Sequence, residues 1–376
     1  MTHVLHISQA DGGVAVYLQM LLKHLDKQKI TNSMVCAQQF ISDDFTPLVS
    51  DFQQIEMVRE ISPKKDLQAV FRLRKCIKQV NPDIVYCHSS KAGALGRLAV
   101  LGMRKPVVYN AHGWAFNMKC SQTKVLIYKY VEKILAYFTD TIICISDFEK
   151  ESALRNGVGN QQKLQVIYNG VDVEAIETNI STTKLSRNQL NIPENAFVVG
   201  MIGRISDQKA PDSFVKMAEI IKRSIPEAFF VIVGDGPDRT EIESMIQAEG
   251  LHDSFFISGW VSNPNDYMAL FDVGVLLSRW EGFGYAIVEY MVAKKPVVAT
   301  RVDAIPNIVE TGKNGLLVAV DDFEDAAAQV IRLHSNSELR NTLTTNGYEL
   351  ACRRFSIQRV AKEHEDLFDA LQNRGK

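Results

Sequence analysis

Four ionisable side chains stand where sequence can speak about chemistry. Glu281 and Glu289 flank the seven residues GFGYAIV, and Arg204 and Lys209 lie five residues apart in GRISDQKAP. Were the span from Glu281 to Glu289 helical, the two carboxylates would lie ~12 Å apart and ~80° round the axis. That is too far to share one proton as an acid–base dyad does. The spacing suits an elongated ligand with hydroxyls at each end and an anionic middle, gripped by the backbone N–H groups of residues 282–285. Ribose, diphosphate and sugar in a nucleotide-sugar have that layout. A departing nucleoside diphosphate leaves negative charge that must be stabilised. Arg204, Lys209 and a helix N-terminus can do so, so neither a metal ion nor a cofactor is expected. The plainer reading of the two cations is a solvated loop.

A second group lies near the amino terminus. Gly12 and Gly13, in SQADGGVAVYL, fall between a strand and a helix, where bare backbone can approach an anion closely. This is not G-x-G-x-x-G, and no acid ends the following strand, so a dinucleotide site gains little support. His112 follows the apolar run PVVYNA directly. It could hydrogen-bond a substrate hydroxyl or phosphate, or simply pack against Trp114.

The elements that must position these groups follow from the hydrophobic rhythm. Short β-branched runs such as HVLHIS, DIVYCH, DTIICIS, FVVGMI and DVGVLLS alternate with longer amphipathic stretches. That is the pattern of parallel strands covered by helices, with ligands beyond the carboxyl ends of the strands. The rhythm stalls over residues 170–195, which predicts a linker between two doubly wound α/β domains. The length of 376 residues also argues for two domains, and a net charge of −2 argues against a broad nucleic-acid-binding surface. Six scattered cysteines without a C-x-x-C pair suggest buried free thiols in a reducing compartment. No signal peptide and no ~18-residue apolar span is visible, so a cytoplasmic location is expected.

The motifs DGGVAVYL, NAHGWAF, VIYNGVD, GRISDQKAP, VGDGPDR, FISGWV, SRWEGFGYAIVEYMVAKKPVVAT and NGLLV occur in that order along nearly the whole chain. In this the chain resembles the retaining glycosyltransferases of family 4, and within them bacterial capsular and exopolysaccharide enzymes. The resemblance implies a GT-B architecture. Two Rossmann-like domains would face one cleft, with an acceptor domain over 1–180, a donor domain over 181–355, and a final helix over 356–376 crossing back to the first.

It also implies roles. Arg204 and Lys209 would hold the donor diphosphate, with Gly282, Phe283, Gly284 and Tyr285 beside it. Glu289 would bind the ribose hydroxyls and Glu281 the transferred sugar. Gly12 and Gly13 would close on the diphosphate from the first domain, and His112 would stand near sugar and acceptor. The expected reaction is metal-independent retaining transfer from a nucleotide-sugar, with uridine as the base, to a lipid-linked surface polysaccharide. A sugar-nucleotide epimerase or hydrolase, and a non-catalytic partner of a glycosyltransferase, are the alternatives. Relatives often carry two glycines and an acid where this chain has Asp303, Ala304 and Asn307. The lysine-rich apolar segment 118–138 could rest on an anionic leaflet, giving peripheral attachment at the inner face of the cell membrane.

Overall fold

The computed structural model of the chain describes residues 1–10 and 12–374. These form two compact units: Met1–Asn169 with Ile357–Lys376, and Gly170–Ser356. Asp11, part of the first glycine motif, lies outside the described residues.

In the first unit, strands β1 (Thr2–Ser8), β2 (Ile30–Ala37), β3 (Asp51–Ile55), β4 (Ile84–His88), β5 (Val107–Asn110), β6 (Thr141–Cys144) and β7 (Leu164–Val166) form one sheet. Its order is β3-β2-β1-β4-β5-β6-β7, and every pairing is parallel. In the second, β8 (Phe197–Ile202), β9 (Ala228–Val233), β10 (Phe255–Ile257), β11 (Val273–Leu276), β12 (Val297–Thr300) and β13 (Leu316–Val318) follow the order β10-β9-β8-β11-β12-β13, again all parallel. Each sheet reverses its winding next to its first strand, between β1 and β4 and between β8 and β11. Those switch points are where open α/β sheets hold ligands.

Both sheets are covered on two faces, so their strands read as continuous apolar runs. All six residues of β8 and all six of β9 are buried. Two glycines inside strands make room for aromatic rings crossing the sheet. A Cβ on Gly200 would lie 2.1 Å from the Phe271 ring, and one on Gly274 would lie 2.4 Å from Tyr290. Tyr290, seated there, accepts a hydrogen bond from the Ile202 N–H at 2.7 Å and so fixes the end of β8.

The last helix, Ile357–Arg374, belongs to the first unit, where Ile357, Val360 and Phe368 share a core with Leu18, Leu21 and Tyr86. The stretch expected to be a linker is not one. It contains the helix Val173–Thr182 and the buried Leu190 and Ile192. That helix is held within the second unit by the bond from Tyr348 to Glu177 (2.7 Å), so the division falls after Asn169 and not near residue 180. Polar composition hid the helix because only one of its faces is covered.

The cysteines divide by position. Cys36, Cys76, Cys87 and Cys144 are buried, whereas Cys120 is exposed and Cys352 half-buried, so the expectation of burial fails for those two. Among the described residues, no helix is long and apolar enough to cross a membrane.

Candidate functional site

In the second unit the loops after β8, β11 and β12 converge. After β8 the chain runs through Gly203 and Arg204 into a short turn, Asp207–Lys209, and then the helix Pro211–Ser224. A Cβ on Gly234 would strike the Gly203 carbonyl at 2.1 Å, and one on Gly236 the Ile205 carbonyl at 2.1 Å. The two glycines of VGDGPDR therefore let the turn after β9 lie flat against the loop after β8; theirs is a shaping role, as their place in a turn signal suggests.

Lys209 pairs through Nζ with Glu281 Oε2, and the fully buried Ser278 donates to the same oxygen at 3.2 Å. The backbone N–H of Glu281 donates to Asp303 Oδ2 at 2.9 Å, and its carbonyl accepts from the Ala304 N–H at 3.4 Å. Burial raises the Asp303 carboxyl above its usual range, with the Glu281 charge adding to the rise against the Glu281 N–H. Asp303 adopts a left-handed backbone, φ 45°. Two residues that replace the expected glycines thus buttress Glu281 directly.

Gly284, at φ 92°, turns the chain into the helix Tyr285–Val292, whose first N–H groups have no intrahelical partner. Glu289 stands on this helix, close enough to Lys209 to feel its charge; burial nonetheless pushes its carboxyl up to about 7. The buried Tyr285 hydroxyl has no hydrogen-bond partner among the described residues. Phe283 is 2% exposed and packs on Phe355 at 5.7 Å, so only its backbone can face a ligand.

Arg204 stands apart. Its residue is exposed and, among the described residues, makes no ion pair, whereas Lys209 is seated beside Glu281. A residue that spacing did not single out binds the loops together. Arg279 meets Asp207 (2.8 Å), Asp212 (2.6 Å) and Asp321 (2.8 Å), and its backbone N–H donates to the Gln208 carbonyl at 2.8 Å. The sequence carries no local sign of this, because Asp207, Asp212 and Asp321 lie 72, 67 and 42 residues from Arg279 along the chain.

In the first unit Gly12, at φ 61°, leads into the helix Gly13–His24, and a Cβ on either Gly12 or Gly13 would meet nothing within 4 Å. Their backbone is open to approach. His112 does not pack on Trp114. It has a left-handed backbone (φ 55°), sits edge-on to Tyr17 at 4.7 Å, and bonds His88 through Nε2 at 3.0 Å. Trp114 turns instead into the core, where its backbone and ring N–H groups both donate to Glu149. Burial, helped by the charge of His364, pushes His112 down to about 3, so the ring is neutral near pH 7.

The helix Gln122–Ala136, shorter than the expected 118–138, buries Leu135 and Ala136, packs Val125 and Tyr128 on the core, and carries a second apolar stripe on its outer side. Its buried side includes Glu132, which bonds Arg97 and the Tyr109 hydroxyl, each at 2.7 Å. Leu126, Ile127, Tyr130, Val131 and Ile134 are exposed, as are Tyr137 and Phe138 beyond its end.

Comparison with known proteins places these features in context. The family described as Glycosyltransferase Family 4 matches residues 11–175, and that described as Glycosyl transferases group 1 matches residues 182–350. The chain is 29% identical over 349 residues to the UDP-Gal:alpha-D-GlcNAc-diphosphoundecaprenol alpha-1,3-galactosyltransferase of Escherichia coli, covering 92% of this chain and 90% of that one. It is 24% identical over 323 residues to the capsular polysaccharide biosynthesis glycosyltransferase CapM of Staphylococcus aureus, covering 84% of each. Among solved structures, HepE of Anabaena in complex with UDP superposes with a TM-score of 0.84 at 22% identity, over 98% of this chain and all of that one. That likeness shows a shared fold.

Proposed function

Because the chain belongs to glycosyltransferase family 4, with the two-domain GT-B fold, we propose that it moves a sugar from a UDP-sugar to a lipid-linked oligosaccharide of a surface polysaccharide, with retention and without a metal ion. The observation that carries this reading is the Lys209–Glu281 pair at the mouth of the helix Tyr285–Val292. A cation and a helix N-terminus at one point favour a diphosphate. The carboxylate held beside them accepts hydrogen bonds from sugar hydroxyls, and Glu289 does the same for ribose.

In the reaction, an acceptor hydroxyl attacks the anomeric carbon as the bond from that carbon to the diphosphate oxygen breaks. The attack comes from the face the diphosphate leaves, and the leaving phosphate takes the hydroxyl proton. Lys209 and the helix N–H groups stabilise the developing negative charge, and Arg204, exposed on the same loop, reaches the diphosphate as it binds. In the first unit, His112 accepts a hydrogen bond from an acceptor hydroxyl, while Gly12 and Gly13 offer open backbone to phosphate.

The acceptor class is supported by the E. coli relative, whose name specifies a diphosphoundecaprenol-linked sugar. The outer side of the helix Gln122–Ala136 supports it independently. An exposed apolar stripe with Lys119, Lys124, Lys129 and Lys133 suits an anionic leaflet, and the Arg97–Glu132 bond, with Leu135 and Ala136 buried beside it, keeps the opposite side on the protein. The protein would then act at the inner face of the cell membrane.

The test is a transfer assay. Radiolabelled UDP-galactose, UDP-glucose and UDP-N-acetylglucosamine are each incubated, with chelator, with a polyprenyl-diphosphate-linked sugar. Label entering the lipid with the anomeric configuration kept supports the reading. Inverted product, or a strict need for added Mn²⁺ or Mg²⁺, contradicts the corresponding part of it.

A further inference from the structure

Three histidines from different strands are joined end to end in the first unit. His6 on β1 bonds His88 at the end of β4 (Nδ1 to Nε2, 3.1 Å), and His88 bonds His112 beyond β5 (Nδ1 to Nε2, 3.0 Å). The far end of the chain is Asn32 on β2, whose Oδ1 lies 3.1 Å from His6 Nε2. Strand register makes the run possible. Ser8 pairs with His88, so His6 sits two residues back on the same face, and His88 pairs with Asn110, two residues before His112. His6 and His88 are fully buried and Asn32 is 5% exposed. Tyr17 from the helix Gly13–His24, Tyr86 on β4 and His364 from the last helix face this group. Burial holds His6 down at about 4 and His88 well below the usual range, so both rings are neutral.

In a neutral imidazole one nitrogen donates and the other accepts, so a run of bonded rings has a single polarity once its end is set. Asn32 Oδ1 can only accept, so His6 donates from Nε2 and must accept at Nδ1. His88 then donates from Nε2 and accepts at Nδ1, and His112 donates from Nε2. What remains is His112 Nδ1, a lone-pair nitrogen with no hydrogen-bond partner among the described residues. We propose that Asn32, His6 and His88 are positioning residues that fix His112 in the Nε2–H tautomer, so that its Nδ1 is presented as the acceptor for a substrate hydroxyl. The proposal rests on the reading above in one respect, that His112 meets substrate. The relay behind it does not.

Long-range ¹H–¹⁵N correlation spectra of the ¹⁵N-histidine-labelled protein at pH 7.5, without substrate, test the relay alone. His112, His88 and His6, assigned by single His→Gln variants, should each show a protonated Nε2 and a bare Nδ1. Asn32→Leu should release His112 to a mixture of tautomers, whereas Asn32→Asp, which keeps an acceptor, should preserve Nε2–H. A protonated Nδ1 on wild-type His112, or a His112 signal unmoved by Asn32→Leu, would overturn the proposal. The wild-type spectrum decides even if Asn32→Leu fails to fold. In the transfer assay Asn32→Leu should lower kcat about tenfold, one hydrogen bond's worth, with the KM for the donor unchanged. The relay signature intact, with His112→Gln turning over at the wild-type rate, would overturn the placement of His112 at substrate instead.

Discussion

The backbone N–H of Glu281 donates to the Asp303 carboxylate across 2.9 Å, joining the loop after β11 to the loop after β12. Lys209 reaches the same glutamate from the loop after β8. Glu281 is thus gripped by side chain and backbone together, on both sides of the switch point of its sheet.

On the proposed reading, that grip places Lys209 and Glu281 where substitution should cost most. Lys209→Ala and Glu281→Ala should each lower transfer by about 100-fold or more, the scale of losing one group aimed at developing charge. Far-UV circular dichroism should show both variants folded. A kcat near wild type in either one would remove the pair from the site.

Asp303 acts through Glu281, so its loss should be milder. Asp303→Ala leaves the Glu281 N–H unpaired and frees the loop, and kcat should fall about tenfold. The nucleotide affinity of this variant should stay within twofold of wild type. An equal loss of nucleotide affinity would mean that Asp303 supports the whole site and not the sugar end.

Glu289 supplies a pH dependence whose sign can be stated. Burial raises its carboxyl to about 7, so the free protein holds that proton up to near neutrality. A group with a raised acid pKa makes the fold less stable as pH climbs from about 4.5 to 7, because over that window the unfolded chain has given up a proton that the native state still holds. If the carboxylate binds ribose, UDP-galactose affinity should be about tenfold weaker at pH 6 than at pH 8. Glu289→Gln should flatten that dependence and weaken binding at pH 8. Titration calorimetry at the two pH values decides it, and a flat wild-type profile would exclude the role.

Arg279 should matter to stability more than to chemistry. It bonds three carboxylates, in the turn Asp207–Lys209, the first turn of the helix Pro211–Ser224 and the loop after β13, and charged hydrogen bonds of this kind contribute roughly 2 kcal/mol in total when partly screened. Arg279→Met should therefore lower Tm by several degrees. An unchanged Tm would mean that the loops hold without it.

The exposed stripe on the helix Gln122–Ala136 is tested by flotation with phosphatidylglycerol vesicles. Replacing Ile127 and Ile134 with Glu should abolish binding, and phosphatidylcholine vesicles should bind weakly even to wild type. Equal flotation of both proteins would place the lipid contact elsewhere.

Much of this was legible in the sequence, for identifiable reasons. Buried parallel strands such as β8 and β9 are unbroken apolar runs, and ligands of such sheets lie beyond strand ends, so Lys209, Glu281 and His112 could be named as candidates from position. Other features depend on contacts far apart in the chain. The polar strand β3, DFQQI, carries no apolar alternation and is placed by pairing with β2. The histidine chain exists because β4 lies beside β1, a crossover that local pattern does not encode. Arg279 looks like any loop arginine until Asp207, Asp212 and Asp321 are brought round it. Asp303 in sequence is only a departure from the glycine that relatives often carry, and its contact with the Glu281 N–H depends on the loop after β12 folding against the loop after β11.

On the proposed reading, the second unit binds the diphosphate of a nucleotide-sugar through Lys209 beside Glu281. The most direct test is calorimetric titration of UDP into the metal-free wild-type protein and into Lys209→Ala. Saturable one-to-one binding to wild type is expected, with at least tenfold weaker binding to the variant. No binding to folded wild type, or equal affinity for both proteins, would contradict it.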